Sequence, residues 1–135
     1  MGETRVLDAS AIVAVLRAEA EGVSVREFLD AASRGECHAV MTTVNWGEAL
    51  YVAARKLEAK RLSGVVVVFD SLPVGLVDVD RGLAMRAARL RHEHGLAYAD
   101  AHAAALALLL GVPLMAKDSD FDALEPEGLT LCRLG

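Results

Sequence analysis

Short apolar runs alternate along this chain with longer stretches in which apolar residues recur every three to four positions. The first run, Thr4-Arg5-Val6-Leu7-Asp8, predicts a strand that ends on an acid, and Ala9 to Leu16 predicts a short helix with Ser10 near its start. Val25, Phe28, Leu29 and Ala32 share one helical face, which predicts a helix over Val23 to Ala32. Cys37 to Thr42 reads as a second strand. Thr43 then serves as N-cap of a helix running to about Leu62, with Trp46, Leu50, Ala53 and Leu57 inward. By β-propensity alone Val65 to Phe69 is a buried strand, and Leu76 to Val79 is another. Asp80 caps a helix to about His92 that buries Leu83, Ala84, Ala87 and Leu90, and Gly95 ends it. Tyr98 to Leu110 is apolar on every side, the mark of a buried helix. Val112 to Ala116 is a strand, 117–122 an acidic loop, and Leu129 to Cys132 a last strand.

Short apolar strands alternating with helices imply an α/β domain: a short parallel β-sheet flanked by helices on both faces. Residues 1–135 are expected to form one domain, since that length supports a single core and no linker or repeat divides it. Ligands of such sheets sit at the carboxyl ends of strands, which is where Asp8 and Asp118 fall. The chain is 54% hydrophobic and 24% charged, too apolar for a disordered segment. No apolar stretch is long enough to span a bilayer and the first residues lack a signal-peptide core, so no membrane role and a cytoplasmic location are expected. With 14 Lys+Arg against 19 Asp+Glu, net −5, the chain lacks the basic footprint of sequence-blind nucleic-acid binding, although a nucleic acid can still be held locally. Cys37 and Cys132 have no metal-ligand spacing and read as reduced small hydrophobes.

The candidate chemistry lies in acids with apolar neighbours. Asp8 follows Val6-Leu7, Glu48 lies within Val44-Asn45-Trp46-Gly47-Glu48-Ala49-Leu50, Asp100 within Leu96-Ala97-Tyr98-Ala99-Asp100-Ala101, and Asp118 directly after Leu114-Met115-Ala116-Lys117. Charged groups in such places need a partner or a metal. Carboxylates gathered in a poorly solvated site repel one another unless protonated or neutralised, and a divalent cation is the simplest neutraliser. An all-oxygen donor set suits Mg²⁺ or Mn²⁺ rather than zinc. Cations so held can activate water and steady a phosphodiester under attack. No GxSxG, phosphate-binding glycine loop or GxGxxG is present, so a hydrolytic reading rests on the acids alone.

Four segments in order carry a family resemblance: Leu7-Asp8-Ala9-Ser10-Ala11, Asn45-Trp46-Gly47-Glu48-Ala49, Gly95-Leu96-Ala97-Tyr98-Ala99-Asp100-Ala101-His102, and Gly111-Val112-Pro113-Leu114-Met115-Ala116-Lys117-Asp118-Ser119-Asp120-Phe121. Together they resemble the motifs of PIN-domain nucleases, and the VapC-like toxins of toxin–antitoxin pairs most of all. The resemblance implies a PIN-like nuclease domain and an Mg²⁺- or Mn²⁺-dependent endoribonuclease that hydrolyses RNA with a metal-activated water. It assigns catalysis and metal binding to Asp8, Glu48, Asp100 and Asp118, with Asp120 as a further metal ligand, and gives Ser10 a hydrogen bond to that site or to substrate. It implies a small antitoxin as inhibitory partner, a homodimer, and a helix rather than a strand at 65–69. Either Asp118 or Asp120 supplies the fourth acid.

Other readings compete. Asp8 alone could be an N-cap, and Glu48 a solvated helical acid. His102, two residues from Asp100, points elsewhere and reads as structural. Arg81, Arg86, Arg89 and Arg91, like Arg55, Lys56, Lys60 and Arg61, form either solvated faces or phosphate tracks. Two alternative functions are a receiver-like module, for which Lys117 is the supporting residue, and a catalytically inactive PIN-like binding module, for which Ala116 stands where the family usually has Thr or Ser.

Overall fold

The computed structural model describes residues 2–134. Its elements are β1 (Thr4–Leu7), α1 (Ala9–Leu16), a 3-10 turn (Ala20–Gly22), α2 (Val23–Ser33), β2 (His38–Thr42), α3 (Thr43–Lys56), α4 (Leu62–Asp70), β3 (Val74–Val77), α5 (Arg81–His94), α6 (Tyr98–Leu110), β4 (Leu114–Ala116), a 3-10 stretch (Ser119–Glu127) and β5 (Leu131–Arg133). The strands form one parallel sheet in the order β3-β2-β1-β4-β5.

Alternation along the strands builds two cores, one per face. Leu7, Ala39, Met41 and Met115 pack with Ile12, Phe28, Leu50 and Phe69 under α1 to α4. Val6, Leu114 and Ala116 pack with Leu83, Leu90, Leu106 and Phe121 under α5, α6 and the second 3-10 stretch. Five alanines of α6 are buried, and their small side chains let that helix lie close on the sheet. Tyr98 at its start and Leu109 and Leu110 at its end are exposed, so the helix is buried from Ala101 to Ala107 and not throughout.

The order 3-2-1-4-5 has its switch point between β1 and β4, where the chain winds outward in both directions and a crevice opens beyond the strand ends. A receiver-like domain is wound 2-1-3-4-5, so this topology is a different one.

Three local expectations need correction. Thr42, not Thr43, caps α3: its Oγ1 accepts from Asn45 N at 3.0 Å. The helix ends at Lys56 rather than near Leu62, because Glu58 adopts φ +52° and Ala59 N donates back to Ala54 O at 2.9 Å. That is a Schellman-type stop built without glycine. Val65 to Phe69 is helical, as the family resemblance implies and against its β-propensity. The place beside β2 is taken by Val74–Val77, and the helix turns Val65 and Phe69 inward together, Phe69 meeting Trp46 edge-on at 6.3 Å. Val67, which a buried strand would place on the same face as those two, is 71% exposed.

Candidate functional site

β1 delivers Asp8 to the crevice as the first residue past the strand, and α1 starts immediately after it. α3 contributes Glu48 from its second turn, α6 contributes Asp100 from its first, and Asp118 follows β4 by one residue from the strand neighbouring β1. The four acids line one cavity of about 420 Å³ together with Ser10, Val13, Glu19, Val52, Lys56 and Lys117. Carboxylate oxygens of Asp8, Glu48 and Asp100 lie within 4.8 Å of one another. Asp118 is exposed at the rim, where its Oδ1 accepts from Asp120 N at 2.8 Å. Asp120 is exposed and is not among the residues lining the cavity, and Asp122 is engaged by Arg133.

Asp8 is 3% exposed, and its two oxygens differ in their surroundings. Oδ2 accepts from Ser10 Oγ at 2.9 Å, while Oδ1 is buried and has no hydrogen-bond partner among the described residues. Although Asp8 occupies the N-cap position of α1, its side chain makes no capping hydrogen bond there. The Ser10 hydroxyl also accepts from Lys117 N at 3.3 Å and so ties Asp8 to the start of the loop that carries Asp118. Ser10 lines the cavity with its one proton committed to Asp8.

Burial, and after it the neighbouring charges, shifts all three clustered acids upward. Burial raises the Asp8 carboxyl, opposed by the Ser10 hydrogen bond, with the Asp118 charge adding to the rise. Burial and then Asp8 raise Glu48. Asp100 is pushed up to about 7, first by burial and then by Asp8, Glu48, Asp118 and Asp120. A second grouping, Glu93, His94 and Glu127, makes the contrast plain. There Arg89 and His94 reach Glu127 at 3.0 and 2.9 Å and hold its carboxyl down at about 2. Those acids have their counter-charges, whereas Asp8, Glu48 and Asp100 form no ion pair among the described residues.

A buried hydrogen-bond relay that the sequence reading missed sets the spacing of Glu48 and Asp100. Asn45 is fully buried one turn before Glu48, and its Nδ2 donates to the carbonyl of Ala99, the residue preceding Asp100, at 2.8 Å. Thr42 Oγ1 donates to Asn45 Oδ1 at 2.5 Å and fixes that amide from the other side. The available signal was a Thr-x-x-Asn cap followed three residues later by an acid. Asn45→Ala removes the bond to the Ala99 carbonyl and leaves the Thr42 hydroxyl proton without its acceptor inside the protein, although Thr42 Oγ1 still accepts from the backbone N–H of residue 45. It is expected to cost about 1–3 kcal/mol, read by urea unfolding, and to weaken divalent-cation binding. His102 stands apart from the acids: its Nδ1 meets the Tyr98 carbonyl at 2.8 Å and its ring stacks edge-on against Tyr98.

A divalent cation fits this donor set. Oxygens on opposite sides of Mg²⁺ are separated by about 4.2 Å, twice its usual ligand distance. The three carboxylates already approach that spacing, and Asp8 Oδ1 is a buried acceptor lacking a donor.

The PIN domain family model matches residues 5–125, and the chain belongs to that family. No curated protein sequence matches it. Among solved structures, VapBC2 from Rickettsia felis, bound to a DNA fragment from its promoter, superposes with a TM-score of 0.73 at 14% identity, covering 98% of this chain and 99% of that one. The VapC20 toxin of Mycobacterium tuberculosis, described as cleaving the sarcin-ricin loop, gives 0.70 at 18% identity over 88% and 93% of the two chains. FitAcB from Neisseria gonorrhoeae gives 0.67 at 18% identity over 94% and 95%. At these identities the likeness establishes a shared fold.

Proposed function

We propose that this chain is a divalent-cation-dependent endoribonuclease of the VapC toxin kind, acting in the cytoplasm as a homodimer and inhibited by a small antitoxin protein. The observation that carries this reading is the clustering of Asp8, whose Oδ1 is buried and unpartnered among the described residues, with Glu48 and Asp100, none of which forms an ion pair there. The VapC20 toxin, described as cleaving the sarcin-ricin loop, supports the reaction class, and a Klebsiella pneumoniae toxin–antitoxin complex of TM-score 0.64 supports the partner.

Asp8, Glu48 and Asp100 would hold Mg²⁺ or Mn²⁺, with Asp118 at the rim as fourth acid. A cation bound there acidifies water and offsets the charge that builds on a phosphodiester during attack. Ser10 orients Asp8 through its hydroxyl. Asn45 keeps Glu48 and Asp100 facing each other. Asp100, whose carboxyl is pushed up to about 7, must be ionised to hold a cation, so affinity for the cation rises with pH. Ala116 is buried in the core under α6, so a small apolar residue suits that position in this chain.

The direct test is cleavage of structured and single-stranded RNAs with Mn²⁺, Mg²⁺ or EDTA. Cleavage that requires the cation is expected. Equal cleavage in EDTA, or none with any RNA, would remove the reading.

A further inference from the structure

Phosphodiester substrates are polyanions, and this chain carries net −5 with five acids around one cavity. Something positive must offset that repulsion close to the site. Two lysines line the cavity. Lys117 is already paired with Glu21 at 2.8 Å. Lys56 is exposed and, among the described residues, forms no ion pair.

Lys56 belongs to a continuous face of α3. Glu48, Val52 and Lys56 follow one another at helical spacing into the cavity, and a second hollow lined by Val52, Arg55 and Lys56 continues it outward. Tyr51 and Arg55 form the adjacent stripe. The Tyr51 ring is 51% exposed, with the Arg55 guanidinium over it at 5.6 Å and Arg55 Nη1 donating to the tyrosine hydroxyl at 2.9 Å. Arg55 has no carboxylate partner among the described residues, so its charge is open to a ligand. Lys56 lies about 12 Å beyond Glu48 along the helix axis, two turns from the acids. An aromatic face held by a guanidinium, next to an unpaired lysine, suits an unstacked base and its neighbouring phosphate.

Resting on the reading above, we propose that the distal half of α3 is the substrate track, in which Lys56 holds a backbone phosphate and the Tyr51–Arg55 pair stacks an unpaired base. The track makes the site selective for single-stranded RNA segments over duplex.

The test measures binding apart from cleavage. Fluorescence anisotropy with a short mixed-sequence single-stranded RNA is run in the Asp8→Asn protein over a KCl series. Lys56→Gln is expected to weaken binding several-fold and to lower the slope of log affinity against log salt by about 0.7, one phosphate on a single strand. Tyr51→Leu is expected to weaken it about 5- to 100-fold, the range for one lost stacked base. Arg86→Gln on α5 serves as the charge control and is expected to bind normally. Absence of RNA binding by the parent, duplex bound as tightly as single strand, or an equal loss in Arg86→Gln would each overturn the track. Unchanged affinity in both α3 variants would assign this face to a protein partner and overturn it as well. Because the readout is binding, a protein that cleaves RNA yet tolerates the α3 substitutions defeats the track alone. One that binds through α3 but never cleaves defeats the nuclease reading alone.

Discussion

Asp8→Asn is expected to remove cation-dependent cleavage and, at the same time, to raise the melting temperature of the cation-free protein. The two effects share one cause. Asp8 is a buried carboxylate with one oxygen unpaired, facing Glu48 and Asp100 across less than 4.8 Å. An asparagine of nearly the same shape keeps an acceptor for Ser10 and presents an N–H₂ donor toward the neighbouring carboxylates. Repulsion becomes a hydrogen bond, a change on the order of 1–3 kcal/mol and therefore several degrees. The same substitution removes an anionic oxygen from the cation's donor set. Losses on the order of 10²–10³ in rate follow from deleting a single electrostatic contact in an active site. A variant that melts lower than the parent in EDTA would show that Asp8 is structural, and one that cleaves like the parent would show that it is not catalytic.

The second large effect is a pH dependence of stability that divalent cations abolish. A carboxyl whose folded pKa lies above its unfolded value binds its proton more tightly in the folded protein. Stability is then highest on the acid side and falls as pH rises through the folded pKa. Asp100 moves from the ordinary aspartate range to about 7, and Asp8 and Glu48 shift in the same direction. In EDTA the melting temperature is expected to fall from about pH 5 to about 7 and to level off above that. Glu127, held at about 2, acts with the opposite sign, but its contribution is complete above the ordinary glutamate pKa and does not enter this window. Adding Mg²⁺ or Mn²⁺ should raise the melting temperature most at pH 8 and flatten the profile, with roughly 2.7 kcal/mol gained at a hundred times the dissociation constant. Differential scanning calorimetry across this range decides it: a flat or rising profile in EDTA would mean that the acids do not crowd one another.

Much of this architecture was legible because the positions of the acids conflicted with their surroundings. Asp8, Glu48 and Asp100 stood out as charges inside apolar segments, and the structure places all three against one cavity. The alternation of strands and helices was equally plain, since a parallel sheet buried on both faces leaves its strands uniformly apolar. What escaped was set by tertiary context. Leu57-Glu58-Ala59-Lys60 contains good helix formers, and only the backbone reversal at Glu58 stops α3. Val65 to Phe69 obeys packing against Trp46 rather than its own propensity. The choice between Asp118 and Asp120 depended on a capping turn two residues long. Asn45 matters through a carbonyl 54 residues away, a distance that no local pattern encodes.

The central place of β1 has a consequence for the timing of synthesis. Val6 and Leu7 pair with Leu114 and Met115, so β1 leaves the ribosome more than a hundred residues ahead of its second neighbour. A nascent chain stopped before α6 holds Asp8 and Glu48 without Asp100, and one stopped before β4 also lacks the strand that sets Asp118 at the rim. At ordinary elongation rates of about 5–20 residues per second, several seconds separate the emergence of Asp8 from completion of the pocket. Chains truncated before β4 accordingly lack the complete acidic pocket.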